Sequence, residues 1–421
     1  MDRWRAARAV VVTTAALATG ALGVAACLVN FEAVGPVAAA DAAVGPSTAP
    51  PDPCAALPAR RDGGALAATA NVPPILFAAY TFALKADGDP LLCDEPGFDI
   101  DGIDTGPPGV CDNPACRALP STGVHNSAKC DAPGGVDNAG LALFNKVAQV
   151  PGAAPQLKAI TINDYVRRGL LNLLVELTDY NGQEEDDQVT ANFYLSSGMD
   201  GITAKPNGLK EVVALPLVWD GTQPDTAWVV DERSVRSEGR FVFPRQTATG
   251  YVRQGLLAIP STGSGVTPSL FGEPTTFDDG IFLARIVRDG GRYRLTHGRM
   301  GMRLPSRVFL NSIGRFVSGA TQLCDKPNAG PYAILRDVVC GYLDLPTGPV
   351  NPNVDCDTLS FSLAFLATEA RLALTESSEL KLGQTFVGAK PACPDDAGTE
   401  WCDDCAWPET RRCAATDGGI R

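Results

Sequence analysis

Carboxylates are the residues of this 421-residue chain whose spacing most suggests chemistry. The run Gly97-Phe98-Asp99-Ile100-Asp101-Gly102-Ile103-Asp104 carries three aspartates, and Gly135-Val136-Asp137-Asn138 adds a fourth beside an amide. Alternate residues on an extended backbone share a face. A hard divalent cation such as calcium takes six or more oxygens. Asp99, Asp101, Asp104, Asp137 and Asn138 are therefore the candidate calcium ligands. The pattern is not an EF-hand, because Ile103 stands at the fifth position and no glutamate closes the loop. A second acidic run, Glu184-Glu185-Asp186-Asp187, falls at the tip of an expected hairpin, where charge is ordinarily solvated.

Other chemistry is sparse. With His125 and His297 as the two histidines, a multi-histidine metal site is excluded. No HExxH, GxSxG or phosphate-cradling glycine loop is present. Ser378-Glu379-Leu380-Lys381 is a formal SxxK without its companion SDN and KTG motifs. No catalytic residue is nominated. Trp219 and Trp228 flank Asp220–Ala227 and are the candidate ligand-binding aromatics, since exposed rings stack on sugar faces. The competing expectation for both is burial in a core.

There are 13 cysteines. Setting Cys27 aside leaves Cys54, Cys93, Cys111, Cys116, Cys130, Cys324, Cys340, Cys356, Cys393, Cys402, Cys405 and Cys413, an even set that can pair completely. In an exported chain that pattern predicts structural disulfides. A bridge such as Cys324–Cys340 would contribute about 3 kcal/mol by restricting the unfolded chain. Cys402 and Cys405 form a CxxC that also suggests a zinc knuckle with Cys393 and Cys413, or a redox pair. Only one of those two pairs has knuckle spacing, and no βαβ unit accompanies it.

The reason for setting Cys27 aside lies in the leader. A basic start, MDRWRAAR, precedes the sixteen uncharged residues Ala9–Val24, the last of which opens Val24-Ala25-Ala26-Cys27. That is the layout of an export signal, and the apolar run is too short to span a bilayer. Val24-Ala25-Ala26-Cys27 resembles the lipobox of bacterial lipoproteins. The resemblance implies cleavage before Cys27, diacylglycerol on its thiol and acylation of the new amino group. Leu28, in place of the aspartate that retains family members at the inner membrane, implies the outer membrane. The alternative is plain secretion, with cleavage near Ala38-Ala39-Ala40.

The elements that must position these residues read as strands. Hydrophobic content of 45% is ample for a core, and 43 glycines with 33 prolines signal many turns. Alternating or β-branched runs occur at 75–84, 173–180, 188–195, 226–231, 239–244, 251–259, 281–288, 292–300 and 359–367. Helical spacing appears at 307–317 and 332–339. About nine strands with long cysteine-bearing excursions predict an all-β, two-sheet sandwich of jelly-roll type with a few short helices. The expected organisation is a signal peptide over 1–26 and an Ala/Pro/Gly-rich tether over 27–74. A β-sandwich domain over 75–385 and a Cys-rich tail over 386–421 follow.

The blocks GFDIDGIDT, GGVDNAG, YNGQEEDDQV, WDGTQPDTAWVVD and CDTLSFSLAF resemble a set of uncharacterised secreted lipoproteins of large-genome bacteria. That resemblance implies no activity. A net charge of −13 repels nucleic acid and anionic lipid headgroups. The resulting expectation is a lipid-anchored envelope protein with a binding or structural role, partnered by the membrane and by a glycan or an envelope protein. The alternative is a carbohydrate-binding or carbohydrate-active jelly roll using carboxylates and exposed aromatics.

Overall fold

The computed structural model describes residues 52–54, 57–60, 71–106, 114–119, 130–147, 159–202, 214–261, 278–314, 317–318, 321–322, 331–384 and 405, with short breaks at 87, 95, 118, 133, 224 and 239–240. All belong to one compact unit, Pro51–Arg421. Cys27, the signal peptide, His125, Cys111, Cys324, Cys393, Cys402 and Cys413 lie outside the described residues.

Chain order is β1 (Ile75–Ala83), α1 (Ala139–Val147), α2 (Ala159–Arg167), β2 (Asn172–Thr178), β3 (Asp186–Met199) and β4 (Ala227–Asp231). Next come β5 (Val235–Glu238), β6 (Phe241–Pro244), β7 (Gln246–Arg253), β8 (Leu256–Ser261), β9 (Asp278–Asp289) and β10 (Arg292–Pro305). The last are α3 (Ser306–Gly314), β11 (Val317–Ser318), β12 (Thr321–Gln322), α4 (Pro331–Gly341), β13 (Thr358–Leu372) and β14 (Leu382–Gly383).

The strands close into a barrel. Antiparallel pairing runs β1-β2-β3-β7-β8-β9-β10-β13, and β13 pairs back onto β1 from Leu76↔Ala370 to Ala83↔Ala364. The expected two-sheet jelly-roll sandwich is therefore wrong: one sheet of eight strands has no free edge at this seam. The closing pair joins residues almost three hundred positions apart, and periodicity carries no information about such a partner. β4 pairs antiparallel with the end of β3 and parallel with the ends of β13 and β14, and β5–β6 and β11–β12 form separate two-stranded ribbons.

Side chains fill the barrel, as eight strands require. Phe193, Phe282 and Phe365 sit on β3, β9 and β13, which are not neighbours, yet their rings meet at 5.7 Å and 4.8 Å between centroids. Unpaired strands can meet this way only through the interior. The space left beside Phe193, Ile259, Phe282, Met300 and Met302 is about 10 Å³ and apolar, too small and too dry for a ligand. Helices cover the barrel: α1 packs on β13, α3 on β10, and α2 on β1. Phe144 of α1 meets Phe361 at 5.6 Å and Phe309 of α3 at 6.4 Å. Asn163 of α2 mimics a strand partner, accepting the Phe82 N–H and donating to its carbonyl, both at 2.7 Å.

Two local signals decide the hairpins. Asp289-Gly290-Gly291-Arg292 turns β9 into β10 with φ of 58° and 86° at the glycines, as the sequence predicts. The run 251–259, expected as one strand, is instead a hairpin that turns at Gln254 and Gly255, with φ of 49° and 77°. Apolar residues on both sides of the turn conceal it.

Three disulfides lie among the described residues: Cys54–Cys93, Cys116–Cys356 and Cys340–Cys405. Cys130 is also disulfide-bonded. The illustrative Cys324–Cys340 bridge is thus not formed. Cys405 pairs across the molecule with α4 rather than serving a CxxC redox pair or a zinc knuckle. Part of the expected tether is bound to the barrel as well: the Tyr251 hydroxyl donates to the Pro58 carbonyl at 2.6 Å, and Val72 N–H to the Tyr180 carbonyl at 2.8 Å.

A candidate cation centre of clustered aspartates

Residues 97–106 and 131–137 lie beside the outer face of β10, held there by arginines of that strand. Arg299 donates to the Gly97 carbonyl at 3.1 Å and stacks over the Phe98 ring at 4.6 Å. Arg303 donates to the Ile100, Pro346 and Gly348 carbonyls at 3.2, 3.0 and 3.3 Å. Single bridges pair Phe98 with Asp137 and Ala132 with Val136. Gly134 and Gly135, with φ of 86° and 75°, make the turn that brings Asp131 and Asp137 side by side.

This framework gathers Asp99, Asp101 and Asp137, one oxygen of each lying within 4.8 Å of the others. Each carboxylate is also oriented by a backbone amide. Asp99 Oδ1 accepts from Gly102 at 2.6 Å, Asp101 Oδ1 from Ile103 at 2.8 Å, and Asp137 Oδ2 from Ile100 at 2.7 Å. Asp101 Oδ2 is sealed from solvent and has no hydrogen-bond partner.

Burial sets the electrostatics. Asp137 is 2% exposed. Its carboxyl is pushed up to about 9, chiefly by lost hydration and then by the charges of Asp344 and Asp101. Asp101 is raised mainly by burial and further by Asp131 and Asp99, with Arg303 and the Ile103 amide opposing. Asp131 is raised for the same first reason while accepting the Thr105 N–H at 2.7 Å and bonding to the Asp137 carboxyl. Two carboxyls that bond each other share a proton. Asp344, also buried, is pushed up to about 7 by lost hydration, although Ser360 donates its N–H at 2.8 Å and its hydroxyl at 2.5 Å. Such a cluster must hold either protons or a cation, because uncompensated buried charge costs several kcal/mol. Hard carboxylate oxygens suit calcium or a similar ion.

Two of the five expected ligands stand apart. Asp104 is exposed and accepts the Gly106 N–H at 3.0 Å, outside the group of three. Asn138 caps α1, its Oδ1 accepting from Leu141 at 3.3 Å and from Ser362 at 3.2 Å, and its Nδ2 donating to the Pro96 carbonyl at 3.0 Å. Asp131 and Asp344 were not legible as members. Asp131 carries no local pattern. Asp344 carried one usable sign, an acid set in the apolar run Tyr342-Leu343-Asp344-Leu345.

The remaining candidates resolve structurally. Trp219 and Trp228 are 1% and 0% exposed and meet edge to face at 5.6 Å, with Trp219 Nε1 donating to the Ala79 carbonyl at 2.9 Å. They are core residues and offer no stacking platform. His297 is a half-buried residue of β10, set in a bulge with φ of 51°. Lys381 pairs with Asp200, and Ser378 belongs to a tight turn, so the SxxK is chance. The acidic tip is not merely solvated: Glu185 and Asp187 pair with the nearly buried Arg253.

No family model, no curated protein and no solved structure matches this chain.

Proposed function

We propose that the chain is exported, lipid-anchored through Cys27 at the outer membrane, and serves there as a non-catalytic binding or structural module of the envelope. The observation that carries this reading is the set of disulfides binding residues 54 and 405 to the barrel, since such bonds persist in oxidising, extracytoplasmic compartments. The barrel itself is the inverse of one that faces lipid, which carries an apolar exterior around a polar lumen. Here the interior is aromatic, while the outer face of β2, β3 and β7 presents Glu176, Gln188, Asn192 and Thr247. Attachment through a lipid therefore fits the chain better than insertion. Mass spectrometry of the mature N-terminus tests the proposal. A diacylated, N-acylated Cys27 is expected, and an unmodified start near Asp41 overturns it.

A second reading concerns the aspartates, and the sealed, partnerless Asp101 Oδ2 favours it. Asp99, Asp101 and Asp137 hold a hard divalent cation such as calcium, which fastens the 97–106 and 131–137 loops to the barrel. Calcium is expected to raise the melting temperature of chelator-treated protein by several degrees through binding linkage. Asp137→Asn removes that calcium-dependent rise. An unchanged transition with and without calcium overturns the reading.

A further inference from the structure

The lipid-anchored arm meets the barrel at two places. The main chain enters β1 at Ile75, but Cys54 is already joined to Cys93. Around that bond the arm lies on the barrel. Arg299 donates to the Pro53 carbonyl at 3.4 Å, Leu57 packs with Phe98 and Tyr251, and Arg60 lies over the Tyr251 ring at 6.0 Å. Residues 55–74 therefore lie inside the covalent loop that Cys54–Cys93 closes, off the shortest covalent path from residue 54 to Cys93.

The sequence places protease sites accordingly. No Lys or Arg occurs between residues 28 and 59, so the first tryptic bonds after the lipid cysteine follow Arg60 and Arg61, inside the loop, and the next follows Lys85. Arg60 is exposed. We propose that Cys54–Cys93 is a retention lock: a chain cut between residues 55 and 74 stays attached to the membrane until this disulfide is reduced. Reduction calls for a dithiol. One thiolate attacks the Sγ of Cys54, the less buried of the two residues, and expels the buried Cys93 as thiolate. The second thiol then resolves the mixed disulfide and frees Cys54. The dithiol leaves as a disulfide, having supplied two electrons and two protons. Cys93 is 1% exposed, which directs attack to Cys54.

The proposal rests on the lipid-anchor reading, and one experiment separates the two. Membranes bearing the full-length protein are treated with trypsin, washed in concentrated urea without reductant, then treated with dithiothreitol. If the protein is absent from the membrane pellet at the outset, the anchor reading fails. The lock is then still read on gels, where the nicked chain must run as one species unreduced and as two when reduced. If the protein starts in the pellet, the nicked barrel is expected to stay there through urea. Dithiothreitol should raise barrel in the supernatant roughly tenfold or more. Release by trypsin and urea alone overturns the lock. Should Arg60 and Arg61 resist trypsin, a site-specific protease sequence inserted between Gly63 and Gly64 makes the same cut. A Cys54→Ser, Cys93→Ser chain carrying that insertion must be released without reductant, and its retention also overturns the proposal.

Discussion

Two outer faces of the same barrel meet opposite surroundings. On β2, β3 and β7 the outer face around Glu176, Asn192 and Thr247 stays wet, and these side chains bond to one another. Glu176 Oε2 accepts from Asn192 Nδ2 and from the Tyr194 hydroxyl, each at 3.0 Å, and the Thr247 hydroxyl donates to Asn192 Oδ1 at 2.9 Å. On β10 and β13 the outer face is roofed. Phe98 lies over Gly301, the Ala139 N–H of α1 donates to the Ser360 hydroxyl at 2.8 Å, and Ala86 and Leu92 pack on Ala364 and Leu366. From Thr358 to Thr368 every residue of β13 is buried. One face thus makes strands that alternate, and the other makes strands that do not. The irregular segments of the chain serve as a second wall of core, pinned by disulfides at Cys93 and Cys116.

The comparison is broken most directly by removing the roof. Phe98 is 5% exposed, and its ring occupies the space that a Cβ on Gly301 would need, with a clash at 2.5 Å. Phe98→Ala should cost about 3–5 kcal/mol, the range for a buried phenylalanine, read as a fall in the urea midpoint at constant slope. A loss below about 1 kcal/mol would show that the loops merely rest on a barrel that is stable without them.

The roof also explains a titration that the wet face has no means to produce. Asp344 lies under α1, with Ser360 between it and the Ala139 amide. Burial lifts its carboxyl to about 7, against about 3.9 in an unfolded chain. From about pH 4 to about pH 7 the folded state keeps a proton that the unfolded state has lost. This contribution is therefore complete below about pH 4 and disappears as pH rises through about 7. Chelator-treated protein should unfold more easily at pH 8 than at pH 5. Asp344→Asn, whose amide can still donate to the Ser360 hydroxyl, should lessen that difference. An equal difference in both proteins would assign the pH dependence elsewhere in the cluster.

The same contrast accounts for what could be read from the chain alone. On the wet side, Val189, Ala191 and Phe193 alternate with Gln188, Thr190 and Asn192, and the strand was legible. In Leu359-Ser360-Phe361-Ser362-Leu363-Ala364-Phe365-Leu366-Ala367 the pattern also read as a strand. Its polar positions, Ser360 and Ser362, are buried under the roof, whereas the two-sheet sandwich rested on the number of strands and the long cysteine-bearing excursions between them. Closure between β1 and β13 had no local signal. In the site, Asp99 and Asp101 were legible because alternation is local, and Asp137 because a second acid-bearing block drew notice. Asp131 and Asp344 arrive through tertiary packing, and the capping role of Asn138 depends on a helix, α1, whose short apolar run was not recognised.

The smallest expected effect is on the wet face, and it is the most exacting test. Thr247 is exposed, and its hydroxyl donates to Asn192, which in turn donates to Glu176. Water can replace each of these bonds at little cost, so the net value of each is modest despite good geometry. Thr247→Ala should change stability by no more than about 0.5 kcal/mol, and a double-mutant cycle with Asn192→Ala should give a coupling of similar size. A coupling above about 1 kcal/mol would mean that water is excluded from this face. Because nothing among the described residues covers it, that exclusion would have to come from a second molecule. The cycle repeated across protein concentrations would show this directly, since a self-association that shields Thr247 strengthens the coupling as concentration rises.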